Sequence, residues 1–135
     1  MPQVKITEHA LVQLGKRYAL TWGAVEFRSA IGNAKPIFRM SGGEVVPFFV
    51  RTLDVYGYAV INGGSVVTVL TERQAFVDCP RAVFTFLIRK GKLDKALSLR
   101  SYYKTLQIKP QDDQSVRYPK ACDTIWCAFK FLEAH

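Results

Sequence analysis

Tyr58-Ala-Val-Ile-Asn-Gly-Gly-Ser-Val-Val-Thr-Val-Leu70 is a pair of β-branched, apolar runs joined by Asn62-Gly63-Gly64. Glycine reaches positive φ without a Cβ clash, and Asn tolerates it better than most residues, so this junction can reverse the chain tightly. The stretch predicts a β-hairpin, residues 58–61 against residues 65–70. Upstream, residues 37–40 read as a short strand and Ser41-Gly42-Gly43 as a turn. Residues 45–52 read as a further strand, which Pro47 confines to an edge or a bulge because proline has no N–H to give a ladder.

Helical patterns flank this block of strands. On the N-terminal side Thr7 is placed to cap a helix running to about Tyr18, with Leu11, Leu14 and Tyr18 as its buried stripe. Thr21 reads as a second N-cap, with Leu20 and Val25 at the positions of a hydrophobic staple. That helix would bury Ala24, Phe27 and Ile31 and stop at Gly32-Asn33. On the C-terminal side Asp78 and Pro80 open a helix that Gly91 interrupts, and a second spans residues 93–105. A polar loop, residues 110–115, precedes a last apolar helix over residues 122–133. Strands grouped together rather than alternating with helices predict an α+β fold. Two N-terminal helices pack on a four-stranded, mainly antiparallel sheet, and C-terminal helices follow. A length of 135 residues fits one domain.

A composition 49% hydrophobic and 22% charged is that of a folded chain. No apolar stretch approaches the length of a membrane span, and residues 1–9 lack the apolar centre of a signal peptide. A cytoplasmic protein with no membrane partner is expected. Three cysteines, an odd number, argue against a disulfide framework. The spacing of Cys122 and Cys127 suits neither a redox pair nor a zinc knuckle, so neither metal nor cofactor is expected. The charge is localised. Residues 81–109 hold eight basic side chains against the single acid Asp94, a net +7 out of the whole chain's +8. Such a concentration attracts polyanions, although a lysine-rich run also serves simply as a solvated helix face.

Val4-Lys-Ile-Thr-Glu-His-Ala10, Arg17-Tyr-Ala-Leu-Thr21 and Val66-Val-Thr-Val-Leu70 together resemble small bacterial and phage proteins of the RelE-like and barnase-like ribonuclease-toxin superfold. The resemblance covers residues 4–72 and leaves the remainder unmatched. It divides the single domain into a toxin-like core, residues 1–74, and a basic helical extension, residues 75–135. It implies two helices on an antiparallel sheet whose concave face binds RNA. It further implies metal-independent cleavage by the ribose 2′-hydroxyl and, as partners, RNA and an antitoxin.

Such cleavage needs a base, an acid and cations around the phosphorane. His9, the one internal histidine and so the residue type suited to proton transfer, and Arg17, Arg39, Arg51 and Arg73 are the candidate catalytic residues. Lys16 shares the face of His9, which is equally the solvated side of an amphipathic helix. Tyr58 offers a ring for stacking on a base or, alternatively, for filling the sheet surface. Arg89, Lys90, Lys92, Lys95, Arg100 and Lys104, interleaved with aromatic residues, are candidate contacts to a nucleic-acid backbone. Two alternatives remain open at this point: a non-enzymatic nucleic-acid-binding protein, and a phage-type regulator docking on an acidic host protein.

Overall fold

A computed structural model describes residues 4–106. In chain order these form β1 (Lys5–Ile6), α1 (Glu8–Tyr18), α2 (Ala24–Ile31), β2 (Phe38–Met40), β3 (Gly43–Val50), β4 (Val55–Asn62), β5 (Ser65–Leu70), α3 (Glu72–Asp78), α4 (Pro80–Arg89) and α5 (Leu93–Thr105). The architecture is α+β. The expected loop at 110–115 and helix at 122–133 lie outside the described residues.

The hairpin forms as its turn chemistry requires. Gly63 and Gly64 have φ of 60° and 79°, the signature of the tight two-residue turn whose twist matches the flanking strands. Asn62 pairs with Ser65 across it. The four expected strands are all present, but the sheet has five, in the order β1-β5-β4-β3-β2. The extra strand is the two-residue β1, which runs parallel to β5, so the sheet is mixed. Two residues carry no readable alternation, and pairing with β5 alone defines them as a strand.

Between Val60 and Ile61 the partner on β5 steps from Thr68 to Val66. Val67 is therefore an extra residue, and this bulge re-phases the strand. Val66 and Val69, three apart, reach the same core, while Val67 and Leu70 face the opposite one.

Both faces of the sheet are covered. On one, Leu14 and Tyr18 of α1 and Phe27 and Ile31 of α2 pack on Val46, Phe48, Ala59, Val66 and Val69. Phe48 closes against the Phe27 ring at 4.9 Å and lies over Gly57, its register partner on β4, where any Cβ would overlap the ring. On the other face, Phe76 of α3, Val83, Phe84 and Leu87 of α4, and Leu99 and Tyr103 of α5 pack on Val45, Tyr58 and Val60. The C-terminal helices are thus a third layer rather than an extension, and the expected boundary near residue 74 falls inside α3.

Local corrections have local causes. The second helix is capped by Gly23, not Thr21: the Gly23 N–H donates to the Glu26 carboxylate at 2.9 Å. Val25 is 68% exposed, so no staple forms there. β3 ends at Val50, and residues 51–54 form the turn to β4, with Asp54 at φ 51°. Pro47 stands where an edge position was expected. The Val45 carbonyl faces away from β4 and accepts from the Ile37 N–H at 2.9 Å. Alternation then puts the Pro47 nitrogen on that same outer edge. β2 pairs only with residues 43–45, so no strand among the described residues flanks β3 beyond them.

Candidate nucleic-acid interface

The candidate catalytic residues do not converge. His9 and Lys16 lie on the exposed side of α1. Arg17, on the same helix, turns inward, and its guanidinium donates to the Val69 carbonyl. Beside it the Tyr18 hydroxyl donates to the Leu70 carbonyl at 2.7 Å. Both side chains bind α1 to the end of β5. Arg39 lies at the far edge of the sheet from α1, on β2, and its Nε is 3.2 Å from Glu44 Oε1 on the neighbouring strand. Arg51 is not on a strand; it is exposed in the β3–β4 turn. Arg73 is on α3, on the opposite side of the sheet from α1, with its guanidinium 4.3 Å from the centre of the Tyr102 ring. The sheet face on which RNA was expected to lie carries α3, α4 and α5.

Two expected nucleic-acid contacts are corrected by burial. Tyr58 is fully enclosed, beneath Phe86, and offers no face to a base. That enclosure also pushes its hydroxyl pKa well up, because burial disfavours the phenolate. Arg100 is 2% exposed and packs its guanidinium over the Phe84 ring, 5.3 Å from its centre.

The rest of the basic run sorts by partner. Lys92 Nζ meets Asp54 of the β3–β4 turn at 2.8 Å. Lys95 Nζ meets Glu72 at the start of α3 at 3.0 Å, and Glu72, mostly buried, has its pKa raised by that burial. Lys104 is exposed near the end of α5. Arg89 and Lys90, at the C-terminal end of α4, are exposed and make no ion pair with any described residue. The carbonyl end of the helix suits cations there.

Arg89 and Lys90 form one rim of a cleft of about 450 Å³. Lys35, exposed in the α2–β2 loop, forms the other. The floor comprises the outer edge of β3 at Pro47–Phe49, Tyr56 of β4, and Thr85 and Phe86 of α4. Its rings form a connected set, with Phe49 at 5.0 Å from Tyr56 and Tyr56 edge-on to Phe86 at 4.8 Å. Lys90 and Lys92 stand 5.8 and 5.7 Å from the Phe86 and Phe49 ring centres. No acidic side chain among the described residues lines the cleft. A positive rim around aromatic walls is chemistry for an anion that carries a flat, apolar part.

Lys35, Phe49 and Thr85 were not singled out by the sequence reading. Thr85 had a signal: it is the sole polar residue in the run Ala82–Ile88. Lys35, alone between Ala34 and Pro36, had none, because its place depends on a loop meeting a helix remote in sequence.

Among the described residues no cluster of His, Cys, Asp or Glu could hold a metal ion, and no helix is long and apolar enough to cross a membrane. Compared with protein-family models, with curated proteins and with solved structures, the chain finds no match in any of the three.

Proposed function

We propose that the protein is an RNA-directed binding protein whose contact site is the cationic cleft between the α2–β2 loop, the outer edge of β3 and α4. One observation carries this reading. Arg89 and Lys90, exposed and unpaired with any described acid, converge with Lys35 on a single acid-free cleft. Opposed cations separated by apolar walls suit a phosphodiester chain, which places charge at regular intervals along one strand.

The ribonuclease form of this reading, like the toxin-superfold resemblance behind it, draws support from the two helices on an antiparallel hairpin sheet. It lacks an assembled site, because His9, Arg39, Arg51 and Arg73 stand on separate parts of the surface. Binding asks less of the geometry than cleavage does.

The test is the salt dependence of the Kd for a random-sequence single-stranded RNA. Wild-type affinity should fall steeply with salt, and replacing Arg89 and Lys90 by Ala should lower the log–log slope by about 1.4, at about 0.7 per lost phosphate contact. Lys16→Ala, on the opposite side of the sheet, should leave the slope unchanged. A flat dependence in the wild type rules out phosphate contacts and turns attention to an acidic protein surface. RNA cut in EDTA by the wild type but not by His9→Ala would restore the catalytic reading on α1.

A further inference from the structure

Positive charge continues past the α2–β2 loop. A second cavity, of about 610 Å³, lies between the C-terminal half of α2, Val4 and Ile61. Ala34, Lys35 and Pro36 line both cavities. The loop is therefore the divide between them, and Lys35, which is exposed, is a cation common to both. Arg28 is the second cation of the new cavity, Ser29 and Asn33 are its exposed polar side chains, and Val25, also exposed, belongs to its apolar wall. No acidic side chain among the described residues lines either cavity. The carbonyl end of α2, which would repel an anion, is partly taken up. The N–H groups of Gly32 and Ala34 donate to the Arg28 and Ile31 carbonyls at 2.9 and 3.1 Å.

Lys35 thus stands between Arg89 and Lys90 on one side and Arg28 on the other. Four cations spread over two adjoining acid-free cavities suit a ligand with several separated negative charges rather than a single anion. The divide limits which polyanion can use them all. A nucleic-acid duplex is stiff over many helical turns and cannot bend over a loop into two hollows. An unpaired strand turns freely at each nucleotide and can. We infer that the two cavities form one binding track for single-stranded RNA, which crosses the α2–β2 loop at Lys35. This inference rests on the RNA-binding reading and extends its site from the cleft to Arg28.

The experiment measures Kd against salt by fluorescence anisotropy for labelled triuridylate, labelled dodecauridylate and a blunt RNA duplex of the dodecamer's charge. The proteins are wild type, Arg28→Gln and Asn33→Asp. Dodecauridylate should show a steeper log–log slope than triuridylate, which the cleft with three cations holds by itself. Arg28→Gln should lower the dodecamer slope by about 0.7, one phosphate contact, and leave triuridylate unchanged. Asn33→Asp changes an exposed side chain to its isosteric acid. It should weaken the dodecamer about fivefold at low salt, the effect of one like charge in water, again sparing triuridylate. Equal slopes for the two lengths, or dodecamer binding that neither variant alters, overturns the track. Arg28→Gln is read only with its urea midpoint beside it, and Asn33→Asp carries the test alone if that variant is destabilised. The duplex binding as tightly as the dodecamer overturns the single strand. Polyaspartate competing as well as unlabelled dodecauridylate overturns the inference in favour of an acidic protein. A slope that is flat at every length defeats the RNA-binding reading itself, whereas a slope that is steep but independent of length defeats only the track.

Discussion

Glu72 shows how one side chain links the basic segment to the core. It opens α3, in the favourable first turn, yet one carboxylate oxygen is buried without a hydrogen-bond partner among the described residues. The other accepts from Lys95 on α5 at 3.0 Å. Lys92, Tyr18 and Tyr58 complete its electrostatic surroundings. Burial raises its pKa above the ordinary 4.5, and Lys95 offsets this only in part. The folded protein thus binds that proton more tightly than the unfolded chain. Unfolding free energy should accordingly fall as pH rises from 4.5 through the folded pKa, the window in which only the native state is protonated. Glu72→Gln keeps an acceptor for Lys95 and removes the titration. Urea denaturation of both proteins at pH 4.5 and pH 7 should show the variant gaining on wild type as pH rises. Asp78, also raised by burial, and Asp54, lowered by Lys92, act in both proteins and cancel in the comparison. A constant difference between the two proteins would mean that Glu72 is unperturbed.

The attachment of α1 to β5 is the clearest case of an element whose role the sequence could not disclose. Its stripe was legible: Leu14 and Tyr18 are buried and His9 faces outward, as a period of 3.6 dictates. The Thr7 cap was legible too, since its hydroxyl accepts from the Ala10 N–H at 3.1 Å. The same hydroxyl also donates to the Val66 carbonyl at 2.8 Å, a contact 59 residues away that no local pattern encodes. Arg17 is similar. Its resemblance to a catalytic arginine rested on spacing within α1, whereas its bond to the Val69 carbonyl depends on where β5 lies. The hairpin, α4 and α5 were readable because turn glycines, Pro80 and Gly91 act locally. The β1 strand and the Val67 bulge were not, because each is decided by a partner distant in sequence; the α2 start was missed for a local reason, since Thr21 is the stronger cap by residue type while the Gly23–Glu26 bond sets the boundary. Arg17→Met should therefore act on stability. A charged donor lost from a half-buried carbonyl costs about 1–2 kcal/mol, measurable as a lower urea midpoint with unchanged m-value. RNA affinity and its salt slope should stay at wild-type values; a reduced slope would make Arg17 a phosphate contact.

Across the whole molecule, three layers meet at β4. It is the third strand of the five, flanked by β5 and β3, and Gly57–Val60 are buried. The helices of one face reach it through Ala59 and those of the other through Tyr58 and Val60. This double cover removes the sheet face from any role in binding and leaves the helix–edge cleft, whose floor includes the outer edge of β3. The two consequences can be read from hydrogen exchange in a single experiment, because amides bonded within the core open only with the whole fold while edge amides open locally. Amides of Gly57–Val60 should exchange slowest in the chain, at the rate of global unfolding. On β3 the backbone alternates, so Val46 and Phe48 donate toward β4 and Phe49 points outward, beyond the end of β2. Phe48 should therefore share the slow rate of β4, with Phe49 next to it exchanging orders of magnitude faster. Equal protection of Phe48 and Phe49 would mean that another segment covers this edge, and the cleft would then be closed in the free protein.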